Sequence, residues 1–277
     1  MATQADHDKA DADYLKGDKQ PVSGSLLISN SRYLNNPLFR DLYAQMGLKR
    51  DGWDLPAAYL VPEINAAIMQ EIDYGDLLSL IAAEREKNAE FDAWLSEGFL
   101  SDWKAEDVAD CKPGTLGAAI HSFLADSGME IDFMFRGAPA DDYTYINKRR
   151  VQNHDIEHMV TGLDPSPVGE TALIVANTVA VHNYFSEELA HPMSLNGMFL
   201  TSTSIMRAAC HYPAVVPAML EGIARGQAMG EKQEKPLFMI RWEDHVDRPI
   251  AELREEFGFT DGPADGHWEW THDASRG

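Results

Sequence analysis

The stretch HDIEHMVTGLDPSPVGE, residues 154–170, predicts two helices joined by a tight turn. Apolar residues at spacings of three and four predict a first helix from Asp141 to Thr161. Gly162 suits a helix C-cap, and the prolines that follow cannot continue the helix. A second helix then begins near Gly169, and so short a connection places the two helices antiparallel. The turn therefore returns Glu170 toward His158.

This hairpin carries a candidate metal site. His154 and His158 are four residues apart, so their imidazoles project from one helix face about a turn apart. Two neutral histidines with one carboxylate, here Glu170, and an open position are ligands of both catalytic zinc and non-haem ferrous iron. The pattern predicts one divalent metal, zinc or iron, and does not choose between them. The alternative is a histidine pair that caps a helix or hydrogen-bonds within a core.

Asp155 is the candidate catalytic residue of the same helix turn. It is either a further metal ligand, an acceptor that orients an imidazole, or a group that moves a proton. In zinc proteases with a His-Glu-x-x-His pattern, the acid activates a metal-bound water. Asp155 points part of a turn away from the line between the histidines, which favours the orienting or proton-transfer role. The shorter acid, and the lack of an evident edge strand to hold a peptide, argue against proteolysis.

Two arginines precede the histidines and are candidates for substrate binding. Arg150 lies one turn before His154 on the same face, and Arg149 lies about one-quarter turn away. Either side chain is suited to bind the carboxylate of an anionic substrate. The alternative for both is a surface salt bridge in this acidic chain.

These residues resemble the signature of the Coq-four (Coq4) family of ubiquinone (coenzyme Q) biosynthesis proteins, which is His-Asp-x-x-His, eleven residues, then Glu. The likeness covers most of residues 55–262 and includes residues 113–117 and 253–258. It implies an all-helical, lipid-binding protein of the quinone synthesis machinery. Such proteins are regarded as organisers of that complex and as enzymes that replace a ring carboxyl by hydroxyl. The implied partners are a prenylated aromatic or other isoprenoid lipid and other quinone biosynthesis proteins.

The chain departs from this family pattern in several places. Glu157 stands where a bulky apolar residue is more common, and Leu163 stands where an aromatic is common, so the pocket is expected to suit a different ring or tail. Residues 1–54 and the tail after Pro263 have no counterpart that we can place. A different interpretation, an HD-type metal phosphohydrolase, would recruit His121 and Asp164, but it leaves Glu170 without a role.

The whole chain predicts an all-α, multi-helix bundle with the metal site at the helix hairpin. We expect a mobile acidic arm over residues 1–24, one helical domain over residues 25–262, and a tail over residues 263–277. The best candidate strand is 237–242, although a helix pair fits that stretch as well. The other predicted helices, judged by apolar periodicity, are 56–74, 75–87, 91–97, 114–126 and 170–189.

Composition limits the classes of partner and compartment. The 277 residues carry a formal charge of -22, which argues against nucleic-acid binding. Cys111 and Cys210 form neither a disulfide framework nor a Cys-x-x-Cys motif. The acidic N-terminus resembles neither a secretory signal nor a mitochondrial transit peptide. We expect a cytoplasmic protein, or one peripheral to the inner face of the membrane.

The segment from Leu189 to Leu220 is apolar and rich in methionine. Pro192 and Pro213 are among the residues that interrupt it, so no continuous run is long enough to span a membrane. The segment predicts either an ordinary core helix pair, a channel for an isoprenoid tail, or the contact surface of a homo-oligomer. Methionine suits the last two because its flexible side chain adapts to varied apolar partners.

Overall fold

The structure, a computed structural model, describes residues 30–48, 60–101, 104–127 and 137–276, and within these ranges it is all-helical without a β-strand. The predicted all-α class is confirmed. Short 3-10 turns lie at Ala105–Val108, Pro213–Val215, Leu237–Met239 and Trp242–His245. The α-helices are α1 (Arg32–Asn35), α2 (Pro37–Leu48), α3 (Val61–Gln70), α4 (Tyr74–Lys87), α5 (Ala89–Glu97), α6 (Leu116–Ser127), α7 (Asp142–Thr161), α8 (Pro167–Tyr184), α9 (Glu187–His211), α10 (Val216–Gly230), α11 (Ile250–Glu256) and α12 (Trp270–Arg276).

Helices α7 and α8 are joined by the predicted short turn over residues 162–166, and local sequence signals define the helix end on each side of it. Helix α7 ends at Gly162, which adopts the left-handed conformation (φ 75°) that favours glycine. Its amide donates to the His158 carbonyl oxygen over 3.1 Å. Helix α8 begins after Ser166, whose hydroxyl accepts from the Gly169 amide over 3.1 Å, with Pro167 at the first helical position.

Helix α8 packs closely against α9 and α10. The approach to α10 depends on small residues: a Cβ atom at Gly226 would lie only 2.2 Å from the Ala172 carbonyl oxygen. A Cβ atom at Gly230 would lie 2.5 Å from the Ala176 carbonyl oxygen. This close packing fixes the helix that carries Glu170.

Three apolar clusters make up the core. The largest surrounds the α7–α8 turn and includes Leu163, Trp242, Phe259 and Trp268. A second cluster joins α4 and α5 to the first half of α7 and the second half of α8, and a third joins α1 to α3 with the middle of α9. The hairpin turn therefore lies against the largest buried cluster.

Two sequence predictions need correction. The helix predicted over 170–189 ends at Tyr184, and α9 starts at Glu187. The break is tertiary in origin, because the Ser186 amide and hydroxyl both donate to the buried Glu84 carboxylate. The candidate strand 237–242 is instead a pair of 3-10 turns. The side-chain amide of Asn153 secures it by donating to the Phe238 and Ile240 carbonyl oxygens over 3.1 and 3.0 Å.

The methionine-rich segment, residues 189–220, lies mostly in α9 and reaches into the start of α10. Helix α9 runs unbroken from Glu187 to His211, although Pro192 lies within its second turn. None of the helices in the described ranges is both long and apolar enough to cross a membrane. The expected arm at 1–24 lies outside the described residues. Trp268 of the tail, in contrast, is buried in the largest apolar cluster.

Candidate metal centre

The hairpin brings three potential metal donors together. Nε2 of His154 lies 3.4 Å from one carboxylate oxygen of Glu170, and Nε2 of His158 lies 3.3 Å from the other. One donor atom from each of the three residues falls within 4.8 Å of the others, which is the only such cluster in the described ranges. Two ligands bound about 2.1 Å from a tetrahedral ion would lie roughly 3.4 Å apart. The two histidine–glutamate separations therefore match the spacing of ligands around one ion.

Both imidazoles are held through their other ring nitrogen. Nδ1 of His158 makes a short hydrogen bond with the Leu163 carbonyl oxygen, and a carbonyl can only accept. Nδ1 of His154 lies 3.3 Å from the Asp155 carboxylate. In the neutral form of the two rings, protons on both Nδ1 atoms leave the two Nε2 lone pairs facing Glu170, which is the arrangement that prepares histidine for a metal. The contact also places Asp155 behind His154, outside the set of converging donors.

The Nε2 atom of His158 gives an independent test of whether these residues fit a metal. It is buried without a hydrogen-bond partner, because its contact with Glu170 lacks hydrogen-bond geometry. Buried polar atoms are almost always satisfied, so an orphaned lone pair beside a carboxylate suits an ion. The side chains of His154 and Glu170 are 42% and 39% exposed, whereas that of His158 is 5% exposed. The donor cluster therefore opens to solvent on one side, as in catalytic sites.

The histidines and carboxylates of the site shift one another's pKa values. Burial lowers the pKa of His154, but the hydrogen bonds and charges of Asp155 and Glu170 outweigh it and hold this pKa well above its usual value. Burial raises the pKa of Glu170, but the two histidines outweigh it and hold this pKa far below its usual range. Without a metal, protonated His154 and ionised Glu170 therefore form an ion pair. The proton on His154 then supplies the positive charge that a metal ion would otherwise supply.

This ion pair predicts a pH dependence for the chelator-treated protein. Because the folded pKa of His154 is raised, its stabilising contribution is complete below the unfolded pKa of about 6.5 and is lost as pH rises through the folded pKa. The melting temperature of the wild type should therefore exceed that of His154→Gln most near pH 6 and least near pH 10. A gap that widens with rising pH would contradict the raised pKa.

The two arginines predicted to bind substrate occupy different environments. Arg149 is fully buried, and its guanidinium donates to Glu243 over 2.9 Å and to Gln152 over 3.2 Å. Its charge is therefore already matched inside the protein by Glu243, and its role in substrate binding stays a prediction. Arg150 donates to the Met193 carbonyl oxygen over 2.8 Å and packs over the Phe238 ring.

Two further polar residues lie beside the donors, and one of them was not predicted. Glu157 is buried, and its carboxylate accepts from the side-chain amide of Asn177 on α8 over 2.8 Å. Burial raises the pKa of Glu157, and the bond from Asn177 opposes that rise. Asn177 lies seven residues after Glu170, which is two helix turns along the same face. The spacing between Glu170 and Asn177 can be read from the sequence. The partner of Asn177 becomes clear only from the position of Glu157 in the structure.

The residues needed for an HD-type phosphohydrolase do not join the donor cluster. The side chain of Asp164 instead accepts from the main-chain amides of Ser166 and Trp268, over 3.1 and 3.2 Å. His121 lies on α6, along a separate 380 Å³ cavity that Cys111 and Ile250 also line. The structure therefore does not support this alternative.

Comparison with known proteins points to one family. The sequence model of the coenzyme Q (ubiquinone) biosynthesis protein Coq4 family matches residues 100–263, more than half of the chain. The mitochondrial ubiquinone biosynthesis proteins COQ4 of Vanderwaltozyma polyspora and Eremothecium gossypii are 27% and 26% identical over 54% and 57% of this chain. The matched segments span 40% and 45% of those relatives. Their compartment differs from the cytoplasm expected above, which stays a prediction for this chain.

A solved structure has the same fold. It belongs to a protein of Nostoc punctiforme provisionally assigned to ubiquinone biosynthesis, and it aligns with 82% of this chain and 99% of its own chain. The TM-score is 0.60 at 22% sequence identity. Identity this low establishes the fold alone. The three candidate metal ligands and the α7–α8 turn all lie within the part of the chain that the family model matches.

Proposed function

The chain belongs to the Coq4 family of coenzyme Q (ubiquinone) biosynthesis proteins, and on that premise we propose that it is a metal-dependent protein acting on a prenylated aromatic intermediate. The observation that carries the proposal is the convergence of His154, His158 and Glu170 donor atoms at the hairpin. Zinc or ferrous iron suits this donor set. The favoured reaction replaces a ring carboxyl group by hydroxyl.

The bound ion would supply Lewis-acid polarisation of the substrate, or would organise oxygen chemistry if it were iron. The histidines hold their Nε2 lone pairs toward it, each fixed through Nδ1. Asp155 is suited to move a proton at the open edge of the site, since its carboxylate is partly exposed and touches His154. Arg150 lies one turn before His154 in α7 and offers a cation to an anionic group of the substrate.

The solvent-open donor cluster favours catalysis over the alternative, a non-catalytic lipid-binding organiser of a quinone biosynthesis complex. A purely structural metal site is usually closed by four protein ligands, whereas three protein residues converge here within the described ranges. An organiser would bind the prenylated ligand without changing it. Both versions of the function require an isoprenoid site, for which the methionine-rich α9 is the candidate surface. The homo-oligomer and the contacts with other quinone biosynthesis proteins stay predictions.

The reaction is tested directly with purified protein. Replacing a ring carboxyl by hydroxyl releases carbon dioxide and removes two electrons from the substrate. With water as the source of the hydroxyl oxygen, dioxygen accepts these electrons and is reduced to hydrogen peroxide, so the assay contains dioxygen together with zinc- or iron-loaded protein. The substrate is a prenylated phenol that carries a ring carboxyl group. We expect the hydroxylated product by mass spectrometry, with the new oxygen absent from controls without metal. Tight binding of the phenol in native mass spectrometry without product would favour the organiser, and neither binding nor product would contradict both.

A further inference from the structure

Residues 263–272, here called the strap, begin where the family match ends and fold back over the turn between α7 and α8. Trp268 of the strap is 1% exposed and joins the apolar cluster that contains Leu163. Thr271 is fully buried as well. At the start of the strap, the Pro263 carbonyl oxygen lies where a Cβ atom on Gly162 would approach it to 3.3 Å. The strap therefore packs against the turn between α7 and α8.

Asp164 links this strap to the hairpin through both oxygens of its carboxylate. Oδ1 accepts from the main-chain amide of Ser166, the N-cap of α8, over 3.1 Å. Oδ2 accepts from the main-chain amide of Trp268 over 3.2 Å. Gly169 packs closely against this side chain, since a Cβ atom on Gly169 would lie 2.6 Å from Oδ1 of Asp164. One carboxylate therefore ties the turn to α8 and to the strap.

The same turn holds one of the candidate metal ligands. The Leu163 carbonyl oxygen accepts from Nδ1 of His158, and Leu163 is fully buried. This carbonyl and the amide of Asp164 belong to one planar peptide unit, so the direction of the carbonyl is coupled to the conformation of Asp164. A shift of Asp164 would turn the acceptor away from His158.

We propose that Asp164, anchored by the strap, is a positioning residue for the metal centre: it fixes the peptide whose carbonyl holds His158 with Nε2 toward Glu170. The inference rests on the proposed function, because it requires that His158 binds the metal. Groups that orient a metal-bound histidine typically change metal affinity by about 10–100-fold when they are removed. Asp164 acts on His158 indirectly, because it fixes the Leu163 carbonyl that accepts from the imidazole.

The proposal is tested by titrating chelator-stripped protein with cobalt(II) and recording the visible absorption spectrum, which reports the coordination geometry. Asp164→Ala removes both acceptor oxygens, and we expect it to weaken cobalt affinity about tenfold or more and to change the spectrum. Asp164→Asn keeps one acceptor and should fall between Ala and wild type. The matched control is Asp261→Ala, which removes an exposed carboxylate that pairs with Lys232 and does not contact the turn.

Circular dichroism and the melting temperature of the metal-free variants separate positioning from general stability. A lower melting temperature of Asp164→Ala with cobalt affinity within twofold of the wild type would overturn the proposal. An equal loss of affinity in Asp261→Ala would also overturn it. If Asp164→Ala fails to fold, Asp164→Asn decides by the same criteria. Wild-type protein that binds no cobalt would overturn the proposed function and this inference together, whereas binding that is indifferent to Asp164 would overturn the inference alone.

Discussion

Substituting His158 by Ala is expected to abolish metal retention. The change removes one of three converging donors, and it is the donor whose Nε2 is buried and otherwise unpartnered. The loss of affinity should exceed the 10–100-fold typical of groups that only orient a ligand. Free metal a thousandfold above the dissociation constant stabilises a protein by about 4 kcal/mol, which is on the order of 10 °C in melting temperature. His158→Ala should lose that metal-induced shift, and elemental analysis should find it metal-free.

Glu157→Gln is the matched control for this experiment. Glu157 neighbours His158 in sequence and is equally buried, but its carboxylate is bonded to Asn177 and does not join the donor cluster. Gln keeps the shape of the side chain and an acceptor oxygen, so metal content should stay close to that of the wild type. Retention of metal by His158→Ala, or equal loss from Glu157→Gln, would contradict the assignment of the ligands.

The sequence was sufficient to predict the turn between α7 and α8 and the side chains that meet beside it, because both depend on local signals. The spacing of four between His154 and His158 and the caps at Gly162 and Ser166 are properties of short segments. A connection of only a few residues keeps the start of α8 close to the end of α7, so Glu170 could be placed near His158 without knowledge of the remaining fold. The all-α class followed from apolar periodicity along the whole chain in the same way.

Features that depend on distant contacts could not be predicted in this way. The break between α8 and α9 carries no glycine or proline and arises from Glu84, about one hundred residues earlier. The burial of Arg149 depends on Glu243, and the anchoring of Asp164 depends on the main chain of Trp268. The hydrogen bond from His158 to the main-chain carbonyl of Leu163 cannot be predicted from a pattern of side chains. Local periodicity located the donors, whereas the groups that orient them come from tertiary structure.

Asp155→Asn is expected to keep the fold and most of the metal while activity on a carboxylated prenyl-phenol falls by roughly two or more orders of magnitude. Asn has nearly the same shape as Asp and retains one oxygen that can accept from Nδ1 of His154, so the ring stays oriented. It carries no negative charge and cannot take up a proton near neutral pH. The measurement pairs metal content with turnover, or with rescue of a quinone-deficient host.

Asp155→Ala separates the two contributions of this carboxylate. Ala removes the acceptor as well as the charge, so metal affinity should fall by about 10–100-fold, the usual effect of losing an orienting partner. If Asp155 only orients His154, the Asn variant should work nearly as well as the wild type and the Ala variant should be impaired. If Asp155 moves a proton, both variants should be inactive while the Asn variant still holds its metal. Full activity of Asp155→Asn with retained metal would exclude a catalytic role, and loss of metal from that variant would identify Asp155 as a ligand.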